Sequence, residues 1–185
     1  MEQDYVIHYQ KVREAEHVQS DVMNIAKYLA NLLLADSPDS ANSAKSADLI
    51  KQSLQSLING INVLGESGTD NTESQLIHMI KANGDKYSSY VNDAVNLSLA
   101  GKKEEAGQLR SQEGLKLQDE LLVSLDRLNK FEDKSMTNGI ESFKVNNKTT
   151  LMMTASLMLI SLLLGIAVMF WIMMSQSRAL TLFPA

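Results

Sequence analysis

The sequence predicts an all-α protein: an antiparallel four-helix bundle whose fourth helix continues into a transmembrane helix. Three observations predict it. Apolar residues recur at steps of three and four along four successive stretches, the spacing of a stripe down one helix face. Helix breakers are scarce, with only Pro38 and Pro184 among 185 residues, and strand signals are absent. Finally, the 24 residues from Leu151 to Met174 carry no charge.

The first stretch places Tyr5, His8, Val12, Ala15, Val18, Val22, Ile25, Leu29 and Leu32 on one stripe. It ends at Asp36-Ser37-Pro38-Asp39, because proline disfavours helix at the preceding residue and Asp and Ser favour turns. The second carries Ile50, Leu54, Leu57, Ile61 and Leu64 and stops at Gly65, with Gly68-Thr69-Asp70-Asn71 as the loop. Thr72 then reads as the cap of a third helix bearing Leu76, Ile80, Tyr87, Val91 and Ala94. Gly101, beside Lys102 and Lys103, marks its C-terminus.

The fourth helix starts near Lys103 and shows Ala106, Leu109, Leu117, Leu121, Leu125, Leu128, Phe131, Met136, Ile140 and Phe143. No proline follows before the uncharged run, so this helix is expected to enter the membrane unbroken. Gly107, Gly114 and Gly139 weaken it by about 1 kcal/mol each relative to alanine. Such a bundle is held by its buried stripes more than by helix propensity. Counted back from Asp36, helix one falls ten residues short of the 46 from Lys103 to Lys148. That difference predicts an upstream continuation with a first transmembrane helix ahead of Met1.

As a helix, 24 residues span about 36 Å, enough for a hydrocarbon core of roughly 30 Å with some tilt. A buried helix of a soluble protein seldom runs so long and so apolar on every face. Phe170 and Trp171, near the end of the run, are expected as aromatic anchors at the membrane interface. The methionines in the run read as apolar filling, since no pair of metal ligands accompanies them. The expected division is residues 1–148 as bundle, 149–175 as membrane span and 176–185 as a terminal stub. Flanking charge leaves orientation open: Glu141, Lys144 and Lys148 precede the run, and Arg178 follows it.

Composition excludes several functions. A net charge of −5 argues against nucleic-acid binding, which needs a basic footprint. Cysteine is absent, so disulfides, thiolate metal sites and cysteine nucleophiles are ruled out. His8, His17 and His78 are too far apart for a local metal motif. Neither a nucleophile elbow nor a glycine-rich phosphate loop occurs. The expectation is a protein that is not an enzyme and uses no cofactor or metal.

Several pieces of text carry a family resemblance. They are the stretch Asn24 to Leu34 in helix one, the turn Leu99-Ala100-Gly101-Lys102-Lys103-Glu104-Glu105-Ala106, and Ser177-Arg178-Ala179-Leu180 after the apolar run. With the bundle and its membrane helix, they resemble the ligand-binding region of bacterial methyl-accepting chemotaxis receptors. The same bundle is similar to sensor regions of some histidine kinases and diguanylate cyclases. The resemblance implies a homodimer in the bacterial inner membrane, with the bundle in the periplasm, the apolar run as second transmembrane helix and a HAMP linker beginning at the stub. It implies that ligand binding shifts helix four along its axis. The ligand would be a small organic or amino acid, or a periplasmic binding protein. The pattern departs at Ala30, where family members often carry arginine, which puts a carboxylate site of that type in doubt. The competing reading is a tail-anchored structural or interaction protein with its bundle in the cytoplasm.

Candidate ligand-binding residues follow from charge among apolar neighbours. Lys27 lies one turn from Asn24 and Asn31 and could meet a carboxylate, with Tyr28 as a wall; otherwise it is a solvated lysine beside the stripe. Arg110 and Arg127 on helix four, with Tyr87 and Tyr90 on helix three, form a second candidate anion pocket. Their plainer reading is exposed arginines and tyrosines at the core edge.

Overall fold

The structure, a computed structural model, describes residues 2–35, 37, 38, 40–66 and 71–180, with side chains over 6–35, 37, 38, 40–66, 71–142, 144–166, 168 and 169. It is all-α, with no strand among the described residues. The helices are α1 (Glu2–Leu34), α2 (Ala41–Gly65), α3 (Asn71–Leu99), α4 (Lys103–Leu109) and α5 (Leu115–Leu180), with a π-helical turn over Arg110–Gly114 between the last two. Two compact units result, Met1–Thr137 and Asn138–Ala185.

Local chemistry sets the helix ends. Ser40 caps α2 by accepting a hydrogen bond from the Ser43 amide at 3.1 Å, while the Ser43 hydroxyl donates to the Ser37 carbonyl at 2.6 Å. The α3 C-terminus closes with the Gly101 amide on Ser98 O at 3.1 Å and the Lys102 amide on Leu97 O at 2.9 Å. That is a Schellman motif, and it needs the left-handed backbone of Gly101, whose φ is +78°. Helix α3 starts at Asn71, one residue ahead of Thr72, which lies inside the helix. Asp36, Asp39 and residues 67–70 of the expected loops, and the side chains of Tyr5 and Phe143, lie outside the described residues.

In the first unit, α1 and α3 run in one direction, antiparallel to α2 and to the α4–α5 segment. At one end the Lys11 ammonium donates to Glu73 and His8 pairs with Glu132, joining the starts of α1 and α3 to α5. At the other end, the Lys103 ammonium donates to the Ala35 carbonyl. Heptad stripes face inward. On α1 the stripe is Lys11, Ala15, Val18, Val22, Ile25, Leu29 and Leu32, with Asp21 buried beside it. On α2 it is Ser43, Ser46, Ile50, Leu54, Leu57, Ile61 and Leu64, with Gly60 buried beside it. On α3 it is Glu73, Ile77, Ile80, Gly84, Tyr87, Val91, Ala94 and Ser98, with Ser88 and Tyr90 buried beside it. Leu121, Leu125, Leu128 and Glu132, with Ser124, complete the core from α5. Each fully buried Leu or Ile contributes about 1.5–3 kcal/mol relative to exposure.

Three expected stripe positions shift. Lys11 is buried where Val12 was expected, Ile77 takes the place of Leu76, and Glu132 takes that of Phe131. In each case the true position continues the three-four alternation from a buried neighbour, as in 11–15–18, 73–77–80 and 125–128–132. A stripe chosen for apolar character alone skips the charged member. Helix four is also not a plain α-helix from Lys103, since the π turn interrupts it. Ala106 and Leu121, both buried, stand fifteen positions apart (121 − 106). Two heptads are fourteen residues. The extra residue in the π turn absorbs the mismatch and keeps both on the core face.

In the second unit, residues 138–180 belong to α5. The large apolar side chains described between Leu151 and Met169 are all more than half exposed. Among the described residues, one helical stretch, Lys103–Ile166, is long and apolar enough to cross a membrane. Three hydroxyls in and just ahead of the run are satisfied within the helix. Thr150 donates to Asn146 O, Thr154 to Thr150 O and Ser156 to Met152 O, at 2.8–2.9 Å. That leaves the helix without unpaired hydroxyls at those positions in a hydrocarbon environment.

Candidate functional site

Three clusters gather polar chemistry in the bundle unit. The first is an open groove of about 650 Å³ between the end of α1 and the start of α2. Lys27, Tyr28 and Asn31 line it from α1, and Asn42, Lys45 and Ser46 from α2, with Leu34 and Leu49 as apolar walls. The Lys27 ammonium lies 5.9 Å from the Tyr28 ring centroid, a cation–π distance. The structure therefore brings Lys27, Tyr28 and Asn31 together and adds a second ammonium from Lys45. Sequence reasoning missed Lys45 and Asn42. Their signal was the Ser40 cap, which starts α2 at Ala41 and swings its first turn beside the last turns of α1.

The second cluster is aromatic. Tyr87 and Tyr90 have ring centroids 5.9 Å apart and are both buried. The Tyr87 hydroxyl donates to the Val22 carbonyl at 3.4 Å, a long bond. Burial pushes the Tyr87 phenol well above its ordinary range, and its neighbour Tyr90 raises it further, against the lowering effect of Arg110. Burial also raises the Tyr90 phenol, again opposed by Arg110. Both tyrosines are thus neutral core residues at physiological pH. Arg110 joins them electrostatically, from the first residue of the π turn. The turn's last residue, Gly114, is buried against Tyr90, and a Cβ there would come within 2.2 Å of the ring. The α3 aromatic and the α4–α5 backbone therefore fit only with glycine at 114. Arg127 is exposed on α5 and does not line the groove. The side chains of Phe170 and Trp171 lie outside the described residues.

The third cluster was not anticipated. Lys11, Glu73 and Glu132 are 4 %, 1 % and 0 % exposed, and His8, at 23 %, closes the layer toward solvent. Lys11 pairs with Glu73, and His8 Nδ1 with Glu132 Oε2. The second Glu132 oxygen, Oε1, is buried with no hydrogen-bond partner among the described residues. Burial pushes the Glu132 carboxyl above the usual carboxylate range; the His8 hydrogen bond and Lys11 oppose this, and Glu73 adds to it. Buried charge this dense is costly unless paired. Among the described residues, no group of three His, Cys, Asp or Glu side chains is placed to hold a metal ion.

A family model described as a four helix bundle sensory module for signal transduction matches residues 1–137. No curated protein and no solved structure matches the chain.

Proposed function

We propose, from the premise that this chain belongs to the family of four-helix-bundle sensory modules of methyl-accepting chemotaxis receptors, that it is the input portion of a transmembrane receptor in a bacterial inner membrane. The bundle faces the periplasm, two copies pair as a homodimer, and the run from Leu151 to Met174 crosses the bilayer. A small organic or amino acid settles its carboxylate in the groove between Lys27 and Lys45. Asn31 and Asn42 hydrogen-bond it, and Tyr28 closes one side. Binding displaces α5, which carries the change into the membrane.

One observation carries this reading. Leu121, Leu125 and Leu128, fully buried in the bundle core, and the uncharged run belong to a single helix, Leu115–Leu180. A change in core packing and a displacement of the apolar run are then coupled through one hydrogen-bonded backbone.

Full-length protein in lipid nanodiscs, screened against small organic acids and amino acids by thermal unfolding, tests the ligand class. At least one acid is expected to raise the unfolding midpoint. Lys27→Ala and Lys45→Ala are each expected to weaken its affinity about tenfold, the worth of a charge-assisted hydrogen bond. A panel in which no acid stabilises the protein, or stabilisation that survives both substitutions, contradicts this site.

A further inference from the structure

We propose that the buried layer formed by His8, Lys11, Glu73 and Glu132 is a proton-binding site, through which external acidity sets how tightly α1 packs against α5. This goes beyond the small-molecule reading and holds whether or not the groove binds an acid.

The geometry carries it. Four ionisable side chains from three helices meet in one layer, three of them almost completely buried. Lys11 and Glu73 pair across α1 and α3, so their charges cancel. What remains is His8 with Glu132, joined through Nδ1 and Oε2. With the Glu132 carboxyl protonated, that pair adds no buried charge and the layer is neutral. When that proton leaves to solvent, the layer holds Lys11 (+1), Glu73 (−1) and Glu132 (−1), a buried net charge of −1.

The surroundings offer that charge little relief. Among the described residues, Glu132 Oε1 has no hydrogen-bond partner, and neither has the Oδ1 of Asn129 one turn earlier on α5. From α2, Val63 and Leu64 stand beside Lys11, and Arg13 and Glu14 of α1 line the same shallow pocket. His8 is the partly exposed member, hence the door for the proton. The raised Glu132 carboxyl fixes the sign. A group raised in the folded state contributes stability that is complete in acid and is lost as pH rises through the raised value. Acid therefore clamps α1 onto α5 at Glu132, and alkali loosens the contact.

Hydrogen–deuterium exchange of the full chain in nanodiscs tests this at about pH 4.5, near the ordinary carboxylate value, and about pH 8, well above it. Exchange times are matched for the intrinsic rate. Peptides from the start of α1 and around Glu132 are expected to be about tenfold more protected in acid, the scale of a charge-assisted hydrogen bond made or lost, while an α2 peptide is unchanged. Glu132→Gln keeps the shape of the protonated acid, so it is expected to remove the pH dependence and keep protection at the acid level. His8→Gln, at a partly exposed site, serves as the second variant and is also expected to flatten the profile. Equal corrected protection at both pH values, or the same pH dependence in both variants, overturns the proposal.

Discussion

At the scale of single residues, charge is placed where helix geometry alone would put leucine. Lys11 and Glu73 occupy heptad positions, so the α1 and α3 backbones bury them whatever their polarity. Removing Glu73 takes from the buried Lys11 ammonium the carboxylate it donates to, at a cost of about 3–5 kcal/mol. Glu73→Leu is accordingly expected to destabilise the full-length protein by roughly that amount. The double change Lys11→Met with Glu73→Leu is expected to recover most of the loss, as two apolar side chains of similar volume replace the pair. Chemical unfolding in nanodiscs checks both, and equal losses in the single and double variants would contradict the assignment. This layer was legible in the sequence to a reader holding strictly to three-four alternation. From Ala15 the alternation reaches Lys11 and His8, and from Ile80 it reaches Ile77 and Glu73. Preferring the apolar neighbours Val12 and Leu76 hid it. Lys27, Tyr28 and Asn31 were legible as neighbours on one helix, and the groove brings them together. Lys45 was not, because its approach depends on the turn that Ser40 and Ser43 build. Tyr87 and Tyr90 were legible as a pair with Arg110, but their depth in the core depends on Gly114, whose missing side chain makes room for the Tyr90 ring.

At the scale of elements, the four stretches and their breaks followed from periodicity, Pro38, Gly65 and Gly101. The Schellman geometry at Gly101 shows why that glycine stops α3. The π turn was the part not read, although the sequence marks it: the stripe skips from Leu109 to Leu117, a step of eight residues. The turn accommodates one residue more than two heptads between Ala106 and Leu121, and this predicts a contrast. Deleting Gln112 is expected to convert the turn to regular α-helix, leaving the flanking core positions in phase, helicity intact and unfolding cooperative. Deleting Asp126, inside the regular part of α5, rotates Leu128 and Glu132 by about 100° relative to Leu121 and Leu125. That variant is expected to lose cooperative unfolding. Circular dichroism melts of the two full-length variants separate the cases, and equal damage from both deletions would contradict the reading of the turn.

At the scale of the whole molecule, a bundle that belongs to a sensory family and an apolar run share one helix. Periodicity predicted the bundle and the uncharged run predicted the span, because both follow from local pattern. Which side of the membrane the bundle occupies does not follow from local pattern, since one arginine and two lysines balance across the run. On the proposed function, the bundle samples the outside of the cell. The absence of native cysteine makes it directly testable. Lys102 is exposed in the turn between α3 and α4, so Lys102→Cys offers a single accessible thiol. Bacteria expressing this variant of the full chain are treated intact with a membrane-impermeant maleimide, permeable enough through the outer membrane to reach the periplasm. Labelling in intact cells is expected. Protection in intact cells followed by labelling after lysis would place the bundle in the cytoplasm and contradict it.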